Sequence, residues 1–439
     1  MKPFSAYATF LAIRLFHSLA FWTYATYSMV YQVTVVGLNP LQLVLVGTVL
    51  EVSYFLLEIP TGVVADVYSR RLSIVIGYIL AGIGFALTGL TTSFGVILLC
   101  QVIWGGGYTF LSGAIEAWIA DELLHEGSVV ESEAEDNTDD KQTLGQVYLR
   151  GSQLGTIGAL LGIALSAPLA QFTVALPLVV GGLLFIVLAL GLIFLMPEQG
   201  FVRTPATERE SWRQLFATAR QGFHVVRNQR ILITMLVITA LVGAWSESFD
   251  RLWTKHLVDN FMLPTIALPS VGMLDWVAWF AIIHATGLVI ALGVTEIVRR
   301  RIDRVNQRQL VISLTAINGL LLIGVLLFAR AEWFITALLA FWLIGVMRTT
   351  LEPLLVGWIN QYISANVRAT VLSIHGQSDA IGQVVGGPLL GLLGTWTTLR
   401  TALSAGSLLL APAIALYGRL IWEMQGQENK HVMADIRQD

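Results

Sequence analysis

Cysteine occurs once in the 439 residues, as Cys100. A lone thiol closes no internal disulfide, which excludes a disulfide-stapled scaffold. Charge is scarce too: Asp, Glu, Lys and Arg make up 13% of the chain, against about 25% in a soluble domain. With a net charge of −3, so thin a supply of cations excludes an ordinary nucleic-acid binder. No Gly-x-x-x-x-Gly-Lys-Ser/Thr phosphate cradle occurs, nor a His-Glu-x-x-His metal motif, nor a Gly-x-Ser-x-Gly nucleophile turn. ATP is therefore not an evident energy source, and an intramembrane hydrolase lacks its usual machinery. We expect no enzyme, no cofactor and no metal site.

What the chain holds in abundance is apolar length. It is 55% hydrophobic with a mean hydropathy of +0.71. Crossing a hydrocarbon core of about 30 Å takes about 20 mostly apolar helical residues. That template fits near 8–33, 41–64, 72–92, 95–124, 143–168, 174–196, 231–257, 272–298, 309–329, 333–361, 369–393 and 398–422. Turn residues such as Gly37-Leu38-Asn39-Pro40 and Met196-Pro197-Glu198 separate several of these stretches. Met1 to Tyr7 lacks a small-residue cleavage site, so the first apolar run reads as a span rather than a removable signal. The expectation is an all-α membrane protein of 12 transmembrane helices, embedded in a lipid bilayer.

Cytoplasmic loops hold Lys and Arg in excess. With both termini inside, all but seven of the 26 basic residues fall on the cytoplasmic side; Lys255, Arg330 and Arg400 lie outside, and Arg14, Arg150, Arg251 and Arg348 lie within helices. Residues 197–230 carry Arg203, Arg209, Arg213, Arg220, Arg227 and Arg230 among polar residues and divide the spans into two sets of six. The expected domains are a first half over 1–196, a linker over 197–230, a second half over 231–424 and a tail over 425–439. Internal repetition supports them. Asp66 aligns with Asp303 in Arg301-Ile302-Asp303-Arg304, Glu116 with Glu352, and Gly158-x-x-x-Gly162 with Gly382-x-x-x-Gly386. The acidic loop 125–142, with Glu131, Glu133, Glu135, Asp136, Asp139 and Asp140, accounts for the change of offset and reads as a solvated connector.

Between the second and third spans runs Glu58-Ile59-Pro60-Thr61-Gly62-Val63-Val64-Ala65-Asp66-Val67-Tyr68-Ser69-Arg70-Arg71. The Pro60-x-Gly62 step is expected to end the second helix. Gly62, Asp66, Arg70 and Arg71 resemble the Gly-x-x-x-Asp-x-x-Gly-Arg-Arg/Lys loop of the major facilitator superfamily of secondary transporters. Val67 stands where that family usually has a basic residue, and Ser69 where it has Gly. The resemblance implies two pseudo-symmetric six-helix halves working by alternating access. It also implies a gating charge network of Gly62, Asp66, Arg70, Arg71 and Asp121. Glycines of the fifth and eleventh spans are partly similar to the signature of the proton-coupled drug-efflux branch.

Ionisable groups within spans cost roughly 2.5–3.5 kcal/mol each, so they face partners or watery cavities. Glu51 is the first candidate for proton coupling; its alternative is a structural bond to Arg14 or His17. Glu116, Arg150, Glu247, Asp250, Arg348 and Glu352 are further coupling or substrate candidates. Spacing of four pairs Glu247 with Arg251 and Arg348 with Glu352, leaving Asp250 over. Arg150 is expected to meet Glu116 or Asp121. Tyr27, Tyr54, Tyr108 and Trp245 are candidate cavity aromatics, suited to an amphipathic solute. The reading is proton-coupled efflux of small amphipathic compounds by a monomer in a prokaryotic plasma membrane. An importer or a metabolite or lipid carrier on the same fold is the alternative, and a non-transporting sensor the second.

Overall fold

The computed structural model describes residues 5–130, 142–202, 227, 229–268, 272–300, 307–360 and 368–435. Most of the acidic loop, most of the 197–230 linker, the second-half copy around Asp303, the 361–367 turn and residues 436–439 lie outside them.

The described chain is helical almost throughout. Helix α1 spans Ala6–Thr34, opened by Ser5, whose hydroxyl accepts the Ala8 N–H. Helix α2, Pro40–Val67, starts with proline at its first position and a reciprocal cap: Asn39 Oδ1 accepts the Gln42 N–H while Gln42 Oε1 accepts the Asn39 N–H. Helix α3 covers Arg70–Leu90, α4 Phe94–Leu111, α5 Ala114–His125, α6 Leu144–Phe172 and α7 Leu176–Leu195. Then follow α8, Arg230–Asn260; α9, Ala278–Arg299; α10, Gln307–Arg330; α11, Phe334–Asn360; α12, Arg368–Trp396; α13, Leu399–Leu408; and α14, Leu410–Asp435. Two short ladders interrupt them: β1, Val129–Val130, runs parallel to β2, Gln142–Thr143, and β3, Ile266–Leu268, runs antiparallel to β4, Gly272–Leu274.

Among the described residues, ten helical stretches are long and apolar enough to cross a membrane, α4 with α5 and α13 with α14 each forming one. Helices α1 and α12 have 29 residues each, about 43 Å at the α-helical rise, but are more polar.

Four expectations shift. The eighth span begins at Ala278 rather than 272, because Gly272–Leu274 is taken up in the β3–β4 ladder. The fourth span breaks at Ser112–Gly113, and the last breaks at Leu409 and continues as helix to Asp435. Pro60 does not end α2, which runs seven residues beyond it. Proline removes the backbone donor that would meet the Leu56 carbonyl, yet the helix carries on; one residue later the Thr61 hydroxyl bonds back to the Leu57 and Glu58 carbonyls at 2.9 and 3.1 Å.

The chain divides into two compact units: Met1–Leu38, Val49–Arg209 and Pro264–Ala285 form the first; Asn39–Thr48, Glu210–Leu263 and Thr286–Asp439 form the second. In the first, α6 lies against α1 through its glycines. A Cβ on Gly158 would collide with the Leu15 carbonyl and stand 3.2 Å from Leu19 N. In the second, α12 lies against α8 in the same manner: a Cβ on Gly382 would collide with the Ala240 carbonyl and stand 3.0 Å from Ala244 N. Small residues permit this backbone-to-backbone approach, the usual means of helix association in lipid. Around Phe85, the rings of Tyr24, Trp104 and Phe185 fill the first unit's core; Phe249, Phe328 and Phe341 do so in the second.

Candidate functional site

The break in the fourth span shapes the first unit's interior. Gly113 sits at φ +71°, a left-handed conformation that side-chain-bearing residues resist. Helix α4 closes with Ser112 N–H donating to the Tyr108 carbonyl, and α5 restarts with Ala117 N–H on the Gly113 carbonyl. The break borders a cavity of about 380 Å³ lined by Arg14 and His17 from α1, Tyr78 from α3, Tyr108 from α4, Ser112, and Glu116 from α5. Arg14 Nη1 lies 3.6 Å from Glu116 Oε1, and both side chains stay partly exposed. His17 Nδ1 and the Tyr78 hydroxyl share a hydrogen bond of 3.1 Å. Tyr54 packs its ring 4.8 Å from that of Tyr108. Half-buried Glu51 lies within electrostatic reach of Tyr108. One cavity thus combines a guanidinium, a carboxylate, an imidazole and phenol groups.

Arg150 is corrected: it is exposed on α6, while Glu116 meets Arg14 and Asp121 meets Arg70. The glycine stripe beginning at Gly151 must face α1, and that turns the neighbouring Arg150 away. Tyr27 is buried, and its hydroxyl donates to the Val277 carbonyl at 3.2 Å. Glu58 is exposed.

At the loop, Arg70 forms an ion pair with Asp121. Arg71 instead joins Met196 and Glu198, which the sequence marked only as a turn. Its N–H donates to Glu198 Oε1 at 2.9 Å and its guanidinium to the Met196 carbonyl at 3.2 Å. Ser69, at the position where the resemblance has Gly, is the N-cap of α3: it accepts the Leu72 N–H and donates to the Glu198 carboxylate at 2.8 Å. That carboxylate sits at the positive end of α3. The residues on either side of Glu198 are fastened as well, Trp118 Nε1–H to the Pro197 carbonyl at 2.7 Å and Gly200 N–H to Glu122 Oε1 at 2.7 Å. Among the described residues Asp66 is exposed and outside any ion pair, and a Cβ on Gly62 would meet nothing within 4 Å. The Pro-Glu following an apolar helix was the available signal for Glu198.

In the second unit, Glu247 and Arg251 pair along α8 at 2.9 Å, as their spacing requires. Gly47 lies directly beneath; a Cβ there would collide with both. Asp250 is not left over. It takes both arms of the Arg348 guanidinium, at 2.5 and 2.8 Å. Arg348 therefore does not pair with Glu352, which is exposed: a two-armed bond across helices outcompetes a single-armed pair within one. The Arg348 guanidinium also lies 5.6 Å from the ring centre of buried Trp245, within cation–π range. Asp379 accepts a hydrogen bond from Gln383 at 2.7 Å. Glycines of α12 serve two neighbours: Gly382 and Gly386 seat α8, while Gly387 and Gly391 seat Val44 of α2.

No protein-family model matches the chain. An uncharacterized MFS-type transporter of Bacillus subtilis (strain 168), YxaM, is 19% identical over 382 residues, 86% of each chain. Among solved structures, the nucleoside transporter NupG superposes with a TM-score of 0.72 at 15% identity, over 94% of this chain and 99% of that one. A bacterial homologue of the human lysosomal transporter Spinster gives 0.68 at 15% identity, over 95% and 97%. A point mutant of the peptide transporter POT gives 0.68 at 14%, over 94% and 93%. The chain has the major facilitator fold.

Proposed function

We propose that the chain is a secondary active transporter, moving a small organic solute by alternating access, with protons driving efflux. The observation that carries this reading is the first unit's cavity. An ion pair inside an apolar helical bundle is costly, and the Arg14–Glu116 pair is partly exposed to a space of about 380 Å³ rather than packed away. Its tyrosines offer apolar faces and its charged groups offer hydrogen bonds, a lining matched to an amphipathic molecule. Glu51 is the proposed proton carrier. Asp66, Arg70, Arg71 and Asp121 are proposed to lock and release the conformational cycle, with Glu198 and Ser69 positioning Arg71. The proposed setting is a prokaryotic plasma membrane, both termini cytoplasmic, the protein monomeric.

Import of a more polar solute is the second reading, favoured by the charged groups of the cavity and by the nucleoside and peptide transporters among the structural neighbours. A compound panel in an efflux-deficient strain, with and without an uncoupler, tests both. Export predicts resistance to some compounds that the uncoupler abolishes. Uptake without resistance supports import, and an unchanged panel in both assays contradicts both readings.

A further inference from the structure

The geometry assigns a binding site for the phosphate headgroup of an anionic phospholipid to the cleft between the first turn of α8 and the end of the membrane-crossing part of α14. The cleft measures about 220 Å³ and is lined by Arg230, Ile233 and Thr234 from α8 and Leu416, Arg419 and Leu420 from α14. Its chemistry is divided by depth. Arg230 is the first residue of α8, and Arg419 stands three residues before the last residue of its span. Both guanidinium groups therefore belong at the level of lipid headgroups, and both residues are exposed. Ile233, Leu416 and Leu420 lie along the same two helices and give the cleft apolar walls.

This pairing of cations above apolar walls matches one molecule with both properties. Arginine holds phosphate with two parallel N–H bonds, and basic pockets between transmembrane helices take anionic lipid headgroups. The Thr234 hydroxyl, whose proton goes to the Arg230 carbonyl at 3.0 Å, retains acceptor capacity for a glycerol hydroxyl. A free phosphate would use the arginines and leave the apolar walls wet. A lipid covers both. The site also adjoins the end of the inter-half linker, so a lipid held there would pin the first helix of the second half.

The test is native mass spectrometry of the full-length protein purified from vesicles of equal parts phosphatidylglycerol and phosphatidylcholine. The wild type is expected to retain phosphatidylglycerol preferentially. Each Arg→Gln change should lower that adduct about five-fold, so Arg230→Gln/Arg419→Gln should nearly remove it. Arg300→Gln, at an exposed arginine bonded to Glu296, should leave it unchanged. Arg230→Lys/Arg419→Lys, which keeps both charges, should preserve the preference. Equal retention of the two lipids, an undiminished adduct in the glutamine double variant, or loss in the lysine variant matching that in the glutamine one would each overturn the assignment. So would displacement of the adduct by millimolar inorganic phosphate, which would make the cleft a free-anion site.

Discussion

At the residue scale, ionisable side chains in the spans were legible as a class, but their partners were not. Spacing along one helix found Glu247–Arg251, because both ends of an i,i+4 pair are visible in one stretch of sequence. It misassigned Arg348, whose partner Asp250 is 98 residues away. Removing either member of that pair leaves the other in an apolar bundle. Asp250→Asn or Arg348→Gln is expected to cost about 1–3 kcal/mol, below the full buried-pair cost because the side chains keep 43% and 36% exposure. Thermal midpoints in detergent check this, and the double variant should lose less than the sum of the singles. Gly47 is a sharper case. Nothing in its sequence neighbourhood marks it, yet Gly47→Ala must displace the Glu247–Arg251 pair, with an expected loss of about 1–3 kcal/mol from overpacking. A midpoint equal to wild type would show that the pair has room to move.

Elements were easier to place than their interruptions. Apolar length placed most helix boundaries to within a few residues, since that signal is summed over about 20 positions. Pro60 and Ser112–Gly113 show where such summing fails. Pro60 looked like a stop, but α2 runs on through it to Val67. The Ser-Gly pair lay inside an apolar run and read as helix, although that dipeptide is a turn signal. Gly113→Ala is expected to cost about 1–2 kcal/mol because φ of +71° is strained for alanine. It should also weaken solute binding, since the break sets where Glu116 meets Arg14. The repeated glycines, in contrast, were readable in advance. Gly158 and Gly382 each seat a facing backbone at matching carbonyls, Leu15 and Ala240, so Gly158→Leu and Gly382→Leu should each prevent assembly, seen as aggregation on size-exclusion chromatography. A monodisperse, thermally stable variant of either would contradict the packing argument.

At the scale of the whole molecule, the fold was legible because hydropathy, basic-residue asymmetry, the internal repeat and the Gly62–Arg71 loop all pointed the same way. The cavity was less so, since Arg14, His17, Tyr78, Tyr108 and Glu116 come from four helices and only the helix break brings Glu116 into place. The central claim is that this cavity binds the moving solute and that a proton gradient drives the movement. The most direct measurement is flux of a compound identified in the efflux panel, in proteoliposomes holding the full-length protein, under an imposed pH gradient. The wild type should accumulate the compound against its gradient, an uncoupler should abolish that accumulation, and Glu51→Gln should lose driven flux while retaining binding. Arg14→Gln should weaken binding itself, by about ten-fold for a charge-assisted hydrogen bond. Driven flux that persists in Glu51→Gln, or wild-type affinity in Arg14→Gln, would contradict the account.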